Sequence, residues 1–138
     1  MLRQAMFESF AGFDDFLVYL GVSLAYLAAF VAIYIRITPY RELQLIREGN
    51  MAASFSLSGA ILGFIVPLAS AIQHSVNLVD MAVWGLVAMV VQIAAFVVVK
   101  LCIPSVTRDI PENKGSAGFF LGSLSLGVGL LNAACMSF

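Results

Sequence analysis

The stretch EGNMAASFSLSGAILGFIVPLASAIQ, Glu48 to Gln73, decides the fold. It opens on a polar cap and then runs for about six turns through apolar and small residues, at 3.6 residues per turn. Gly59 and Gly63 stand at GxxxG spacing within it, and Pro67 falls near its far end. A weaker copy, ENKGSAGFFLGSLSLGVGLLNAACM, runs from Glu112 to Met136. A shift of 64 positions pairs Ile46 with Ile110, Glu48 with Glu112, Ala53 with Ala117 and Phe55 with Phe119. The same shift pairs Leu57 with Leu121, Leu62 with Leu126, Gly63 with Gly127 and Ala69 with Ala133.

Outward from that stretch the chain is too apolar for a soluble domain. Apolar residues make up 62% and charged residues 11% of its 138 positions, against roughly 45–50% and about 25% in soluble proteins. A chain of this size cannot enclose so much apolar surface in its own core, so the excess faces lipid. Four spans, about 16–37, 52–73, 81–103 and 117–137, approach the ~20 residues that cross a hydrocarbon core. Inside lipid the backbone must satisfy its own hydrogen bonds, which predicts helices. The first span is expected to be retained rather than cleaved: Arg3 is balanced by Glu8, Asp14 and Asp15, and the apolar run is too long for a signal core.

These spans predict one all-α domain over 1–138, four transmembrane helices built from two parallel two-helix repeats at about 16–73 and 81–137. Two spans per unit bring both units into the membrane in the same sense, which implies a pseudo-two-fold axis along the membrane normal. Six of the seven Lys and Arg lie in or beside two of the connections, a first at 38–51 and a second at 104–116: Arg36, Arg41, Arg47, Lys100, Arg108 and Lys114. The positive-inside rule then puts connections 38–51 and 104–116 in the cytoplasm of a bacterial inner membrane, with both termini periplasmic.

Leu2, Met6, Phe10 and Phe13 share a face, as in an interfacial helix or a frayed terminus. In the first connection Thr38 is the expected N-cap of a short helix that Gly49 stops, and Asn50 is the expected cap of span two. Arg36 is expected at the membrane surface with Tyr34 and Tyr40 beside it, and Arg41 and Arg47 turn toward lipid phosphates. Each span carries a small or polar stripe suited to a compact bundle. The first has Gly21, Ala25, Ala28 and Ala32; the second Ala52, Ser56, Gly59, Gly63 and Ser70. The third has Gly85, Ala88, Gln92 and Ala95; the fourth Gly118, Gly122, Ser125, Gly129 and Asn132. Pro67 predicts a bend near the outer end of span two.

Chemistry is sparse. No Asp, Glu, Lys, Arg or His falls centrally in any span, which argues against proton-coupled transport. Gln92 is the most central amide and reads as hydrogen-bonded to a neighbouring helix backbone or a Ser hydroxyl, fixing register, with contact to a solute or a partner chain as the alternative; Asn132 reads as a packing residue. Cys102 and Cys135 fall at opposite membrane surfaces and do not pair, with Cys135 expected as a buried packing residue. His74 and Asp80 bracket a solvated turn, too few groups for a metal site. No nucleophile, zinc, nucleotide or CxxC motif occurs, so no enzyme is expected, and no cofactor or metal is implied. The net charge of −1 gives no reason to expect nucleic acid. Expected partners are the lipid bilayer, further copies of the chain in a homo-oligomer, and a membrane or cytoplasmic protein.

At EGN (Glu48–Asn50), PLA (Pro67–Ala69), Gln92 and GLLNAACM (Gly129–Met136) the chain resembles the YjfL-like family of small bacterial inner-membrane proteins, classed under a domain of unknown function. The resemblance covers nearly everything from Asp14 onward. It implies two copies of a two-helix unit, and partners among ATP-dependent amide-ligase-like enzymes of the glutathione and polyamine type or envelope-stress proteins. It implies no catalytic residue. Two functional expectations follow: a non-enzymatic, self-associating or accessory component of an envelope process, or a small channel or carrier for a neutral or polyamine-like solute. The candidate helix-interface or pore residues are Ser54, Ser58, Gly59, Gly63, Gln92, Gly118, Gly122 and Asn132.

Overall fold

The computed structural model describes residues 1–136, so the last expected residue of the fourth span, 137, lies outside the described residues. Seven helices follow one another: α1 Leu2–Phe10, α2 Phe13–Ile37, α3 Glu42–Arg47, α4 Met51–His74, α5 Leu78–Cys102, α6 Val106–Asp109 and α7 Gly115–Cys135. Among the described residues four stretches are long and apolar enough to cross a membrane, the first being α1 and α2 together. The chain is an all-helical integral membrane protein.

The packing centre is the pair α4 and α7, which run in parallel. A Cβ placed on Gly118 would strike the Ala52 backbone, one on Gly59 the Gly122 backbone, and one on Gly129 the Gly63 carbonyl. Higher up, the Ser70 hydroxyl donates to the Ala133 carbonyl at 3.3 Å. Glycine permits this approach because lipid supplies no hydrophobic drive between helices, and backbone contact is what holds them. Pro67 contributes here too. Lacking an N–H, it leaves the Gly63 carbonyl four residues earlier without its helical donor, and that carbonyl faces Gly129.

The short connections are closed by local chemistry. Gly49 has φ +85°, its N–H donates to Ile46 O at 3.0 Å, and Asn50 N–H reaches back to Leu45 O at 2.9 Å. This is a Schellman closure of α3. The Asn50 side chain then caps α4 by accepting from Ala53 N at 2.8 Å, as its position predicts. The second connection repeats the closure: Asn113 has φ 59°, its N–H donates to Ile110 O, and Lys114 N–H donates to Asp109 O. The two connections also clasp each other. Asn50 Nδ2 donates to Ile110 O and Pro111 O, while Asn113 Oδ1 accepts from Ala52 N.

Four expectations need correction. Thr38 ends α2 rather than starting α3: its N–H donates to Tyr34 O and its hydroxyl to Ile35 O, so the Pro39–Tyr40 bend precedes a helix that begins at Glu42. Tyr34 and Tyr40 are buried within the bundle, whereas Arg36, which they are expected to flank, is exposed. The α2 stripe Gly21, Ala25, Ala28 and Ala32 is exposed, because α2 instead turns Tyr19, Tyr26, Phe30 and Tyr34 to the bundle. The Phe30 ring stacks on Phe64 at 4.6 Å, and Tyr34 meets Phe96 edge-on at 5.2 Å. These rings fill a gap that alanines would leave empty. Finally, Cys135 is exposed, as is Cys102, and both thiols are free.

Candidate functional site

The candidate residues separate into three places. Gly59, Gly63, Gly118 and Gly122 all sit in the α4–α7 crossing of one chain. Gln92 reaches into that crossing from α5, and its Nε2 donates to the Ser125 carbonyl at 2.8 Å. Its Oε1 is buried without a hydrogen-bond partner. Ser54 is half-buried and Ser58 exposed on α4, and Asn132 is half-buried near the far end of α7. The polar members of the set therefore lie apart and share no single cavity wall.

The most concentrated polar chemistry lies elsewhere, where α2, α3 and α4 meet. Glu42, the first residue of α3, is fully buried, and neither carboxyl oxygen has a hydrogen-bond partner. Near it lie the phenols of Tyr34 from α2 and Tyr40 from the bend, and Ser56 from the second turn of α4 stands against both phenols. Ser56 is adjacent to both phenols, yet none of the three hydroxyls makes a hydrogen bond of normal geometry. No ion pair reaches Glu42 among the described residues. Burial lifts its carboxyl from the ordinary 4.5 to about 8, because an unpaired charge is costly away from water. Burial, followed by the charge of Glu42, raises the Tyr40 phenol as well.

A cleft of about 660 Å³ opens over this cluster, lined by Ile35, Thr38, Tyr40, Glu42, Gln44 and Arg47 among others. At the opposite end a smaller cleft of about 280 Å³ is lined by Ser70, His74, Asp80, Trp84 and Met136. There His74 Nδ1 lies 2.9 Å from Ser70 O, and Asp80 Oδ2 accepts from Val76 N at 3.1 Å. Among the described residues no group of three His, Cys, Asp or Glu is placed to hold a metal ion.

The model of one family, Domain of Unknown Function (DUF350), matches residues 6–136. The chain belongs to the DUF350 family. Its similar proteins include UPF0719 inner membrane protein YjfL of Escherichia coli K12, 39% identical over 122 residues that cover 88% of this chain and 92% of that protein. The same protein of Escherichia coli O157:H7 matches equally. UPF0719 transmembrane protein YshE of Bacillus subtilis 168 is 25% identical over 122 residues, covering 84% of this chain and 88% of its own. No solved structure matches.

For a DUF350 chain the sequence pattern gave no warning of the Glu42 cluster. Glu42 sits between Arg41 and Leu43 in the short surface helix expected of the first connection, where a carboxylate is ordinarily solvated. One signal was available: 64 positions on stands Val106, also buried, so the same place in the second connection is apolar.

Proposed function

We propose that this chain is a non-enzymatic component of the bacterial inner membrane that self-associates through the open face of α2 and serves an envelope process. The observation that carries the reading is the exposure of Gly21, Ala25, Ala28 and Ala32 along α2. A Cβ at Gly21 would meet nothing within 4 Å, so the bundle makes no use of that face. Small residues gain nothing against lipid, whereas they let a second helix come close. The glycine faces of α4 and α7 are spent on each other and are not available for this purpose.

The inner-membrane location draws on the name of the YjfL relative. The distribution of Lys and Arg supports cytoplasmic connections around α3 and α6 and periplasmic termini. The matching closures at Gly49 and Asn113 support two units related by a pseudo-two-fold axis. That relation loosens toward the other end, where Gly63 is packed tightly while Gly127 faces open space.

A channel or carrier for a neutral or polyamine-like solute is the weaker alternative, since Ser54, Ser58, Gln92 and Asn132 do not gather around one path. Native mass spectrometry of gently extracted protein tests the proposal. Oligomers that Ala28→Leu dissociates support it. A bare monomer overturns it, and solute flux that Gln92→Leu alters would favour the alternative.

A further inference from the structure

The cluster at Glu42 has no structural necessity. Val106 holds the corresponding place in the second connection and is buried in its own right, so an apolar residue satisfies the packing there. Glu42 instead puts two oxygens of a carboxyl under the surface, and Tyr34, Tyr40 and Ser56 add three hydroxyl oxygens, all buried and all unpartnered. Native proteins pair nearly all buried polar atoms, so five such atoms in one place call for an occupant. The three hydroxyls carry protons of their own, and Ser56 stands close enough to pair with both phenols, but none of them donates to either carboxyl oxygen. A cation can take a lone pair from each of the five oxygens at once.

We propose that Glu42, Tyr34, Tyr40 and Ser56 form a binding site for one dehydrated monovalent cation of the alkali-metal class, entered from the cleft beside α3. The charge count sets the class. One carboxylate neutralises one positive charge, whereas a divalent ion would keep an unbalanced charge in a dry site. Hydroxyl and carboxylate oxygens are hard donors that suit such ions, and among the described residues no group of three His, Cys, Asp or Glu is placed to hold a transition metal. The groups facing Glu42 are the phenols of Tyr34 on α2 and Tyr40 in the bend, and Ser56 of α4 stands against both phenols. Arg41 and Arg47 line the cleft but are exposed at its mouth, where solvent and salt screen them. Phe96 of α5, itself buried, packs edge-on against the Tyr34 ring. Proton and cation compete for the same carboxyl, so cation binding strengthens as pH rises through about 8.

Thermal unfolding of the purified full chain in detergent tests this, with NaCl or KCl titrated against N-methylglucamine chloride at constant ionic strength and pH 8.5. The proposal predicts a saturable rise in Tm with Na⁺ or K⁺, about 4 °C at a tenfold excess over Kd, and none with N-methylglucamine. Glu42→Gln keeps the shape and removes the charge, and it should abolish the rise. Ser56→Ala and Tyr40→Phe each delete one donor and should weaken the half-saturating concentration at least threefold. A wild-type Tm indifferent to the cation overturns the proposal, as does a rise that survives Glu42→Gln or a preference for Mg²⁺ or Ca²⁺. Should Glu42→Gln not fold, unchanged half-saturation in both Ser56→Ala and Tyr40→Phe overturns it instead.

Discussion

Helices α4 and α2 look alike on paper, and the fold uses them in opposite ways. Both are long and apolar, and both carry small residues every three or four positions. On α4 those residues face inward and meet the backbone of α7, whereas on α2 they face outward and large aromatic rings make the contact. A small stripe is thus a licence for close approach, and the volume left between helices decides whether a chain uses it on itself. Between α4 and α7 there is no room for a side chain. Between α2 and the bundle there is room for Tyr26, Phe30 and Tyr34, and the Tyr26 hydroxyl donates across it to Ala82 O.

The sharpest way to break this comparison is to add bulk to each face. Gly122→Leu forces a side chain into the Phe55 and Gly59 backbone and should cost roughly 3 kcal/mol or more, seen as loss of folded protein in a detergent unfolding titration. Gly21→Ala and Gly127→Ala each add a Cβ that meets nothing within 4 Å and should stay within about 1 kcal/mol of wild type. If all three behaved alike, the distinction between a packed and an open face would fail.

The two connections offer a second contrast, Glu42 against Val106. The folded carboxyl holds its proton up to about pH 8, while the unfolded chain releases it near 4.5. Between those values the folded state binds more protons, so stability falls as pH rises from about 4.5 to 8 and then levels off. In a buffer containing only bulky organic cations, unfolding midpoints across that window should decline for wild type, and Glu42→Gln should flatten the decline.

Smaller effects follow at the clasp and the centre. Asn50→Ala removes the α4 cap and both bonds to the second connection, for a loss of about 2 kcal/mol in unfolding free energy. Gln92→Leu removes the single bond to Ser125 O, and interhelical bonds of this kind average ~0.6 kcal/mol. A Gln92→Leu loss as large as that of Gly122→Leu would mean that polar bonding, not backbone approach, holds the crossing.

Much of this was legible from residue order. The apolar spans, the Asn50 cap, the Gly49 stop and the glycine-rich crossing follow from length, capping chemistry and side-chain size, all of which act locally. The facing of α2 was not legible, because its two faces are both apolar and only the shape of the α4–α5 groove selects the aromatic one. Glu42 was hidden for a related reason. Its flanking residues Arg41 and Leu43 are exposed, while its neighbours in space come from the helix before and the bend beside it. The closure shared by Gly49 and Asn113 has a visible counterpart in the pairing of Ile46 with Ile110. The divergence of Gly63 from Gly127 does not, since Gly129 takes the close contact instead.

Disulfide cross-linking in the native membrane tests the central claim most directly. With Cys102 and Cys135 replaced by serine, single cysteines at Ala28 on α2 and at Ser123 on the exposed side of α7 are oxidised in parallel. The account predicts covalent dimers from Ala28→Cys and few from Ser123→Cys. Dimers from Ser123→Cys alone, or monomers from both, would contradict assembly through the open face of α2.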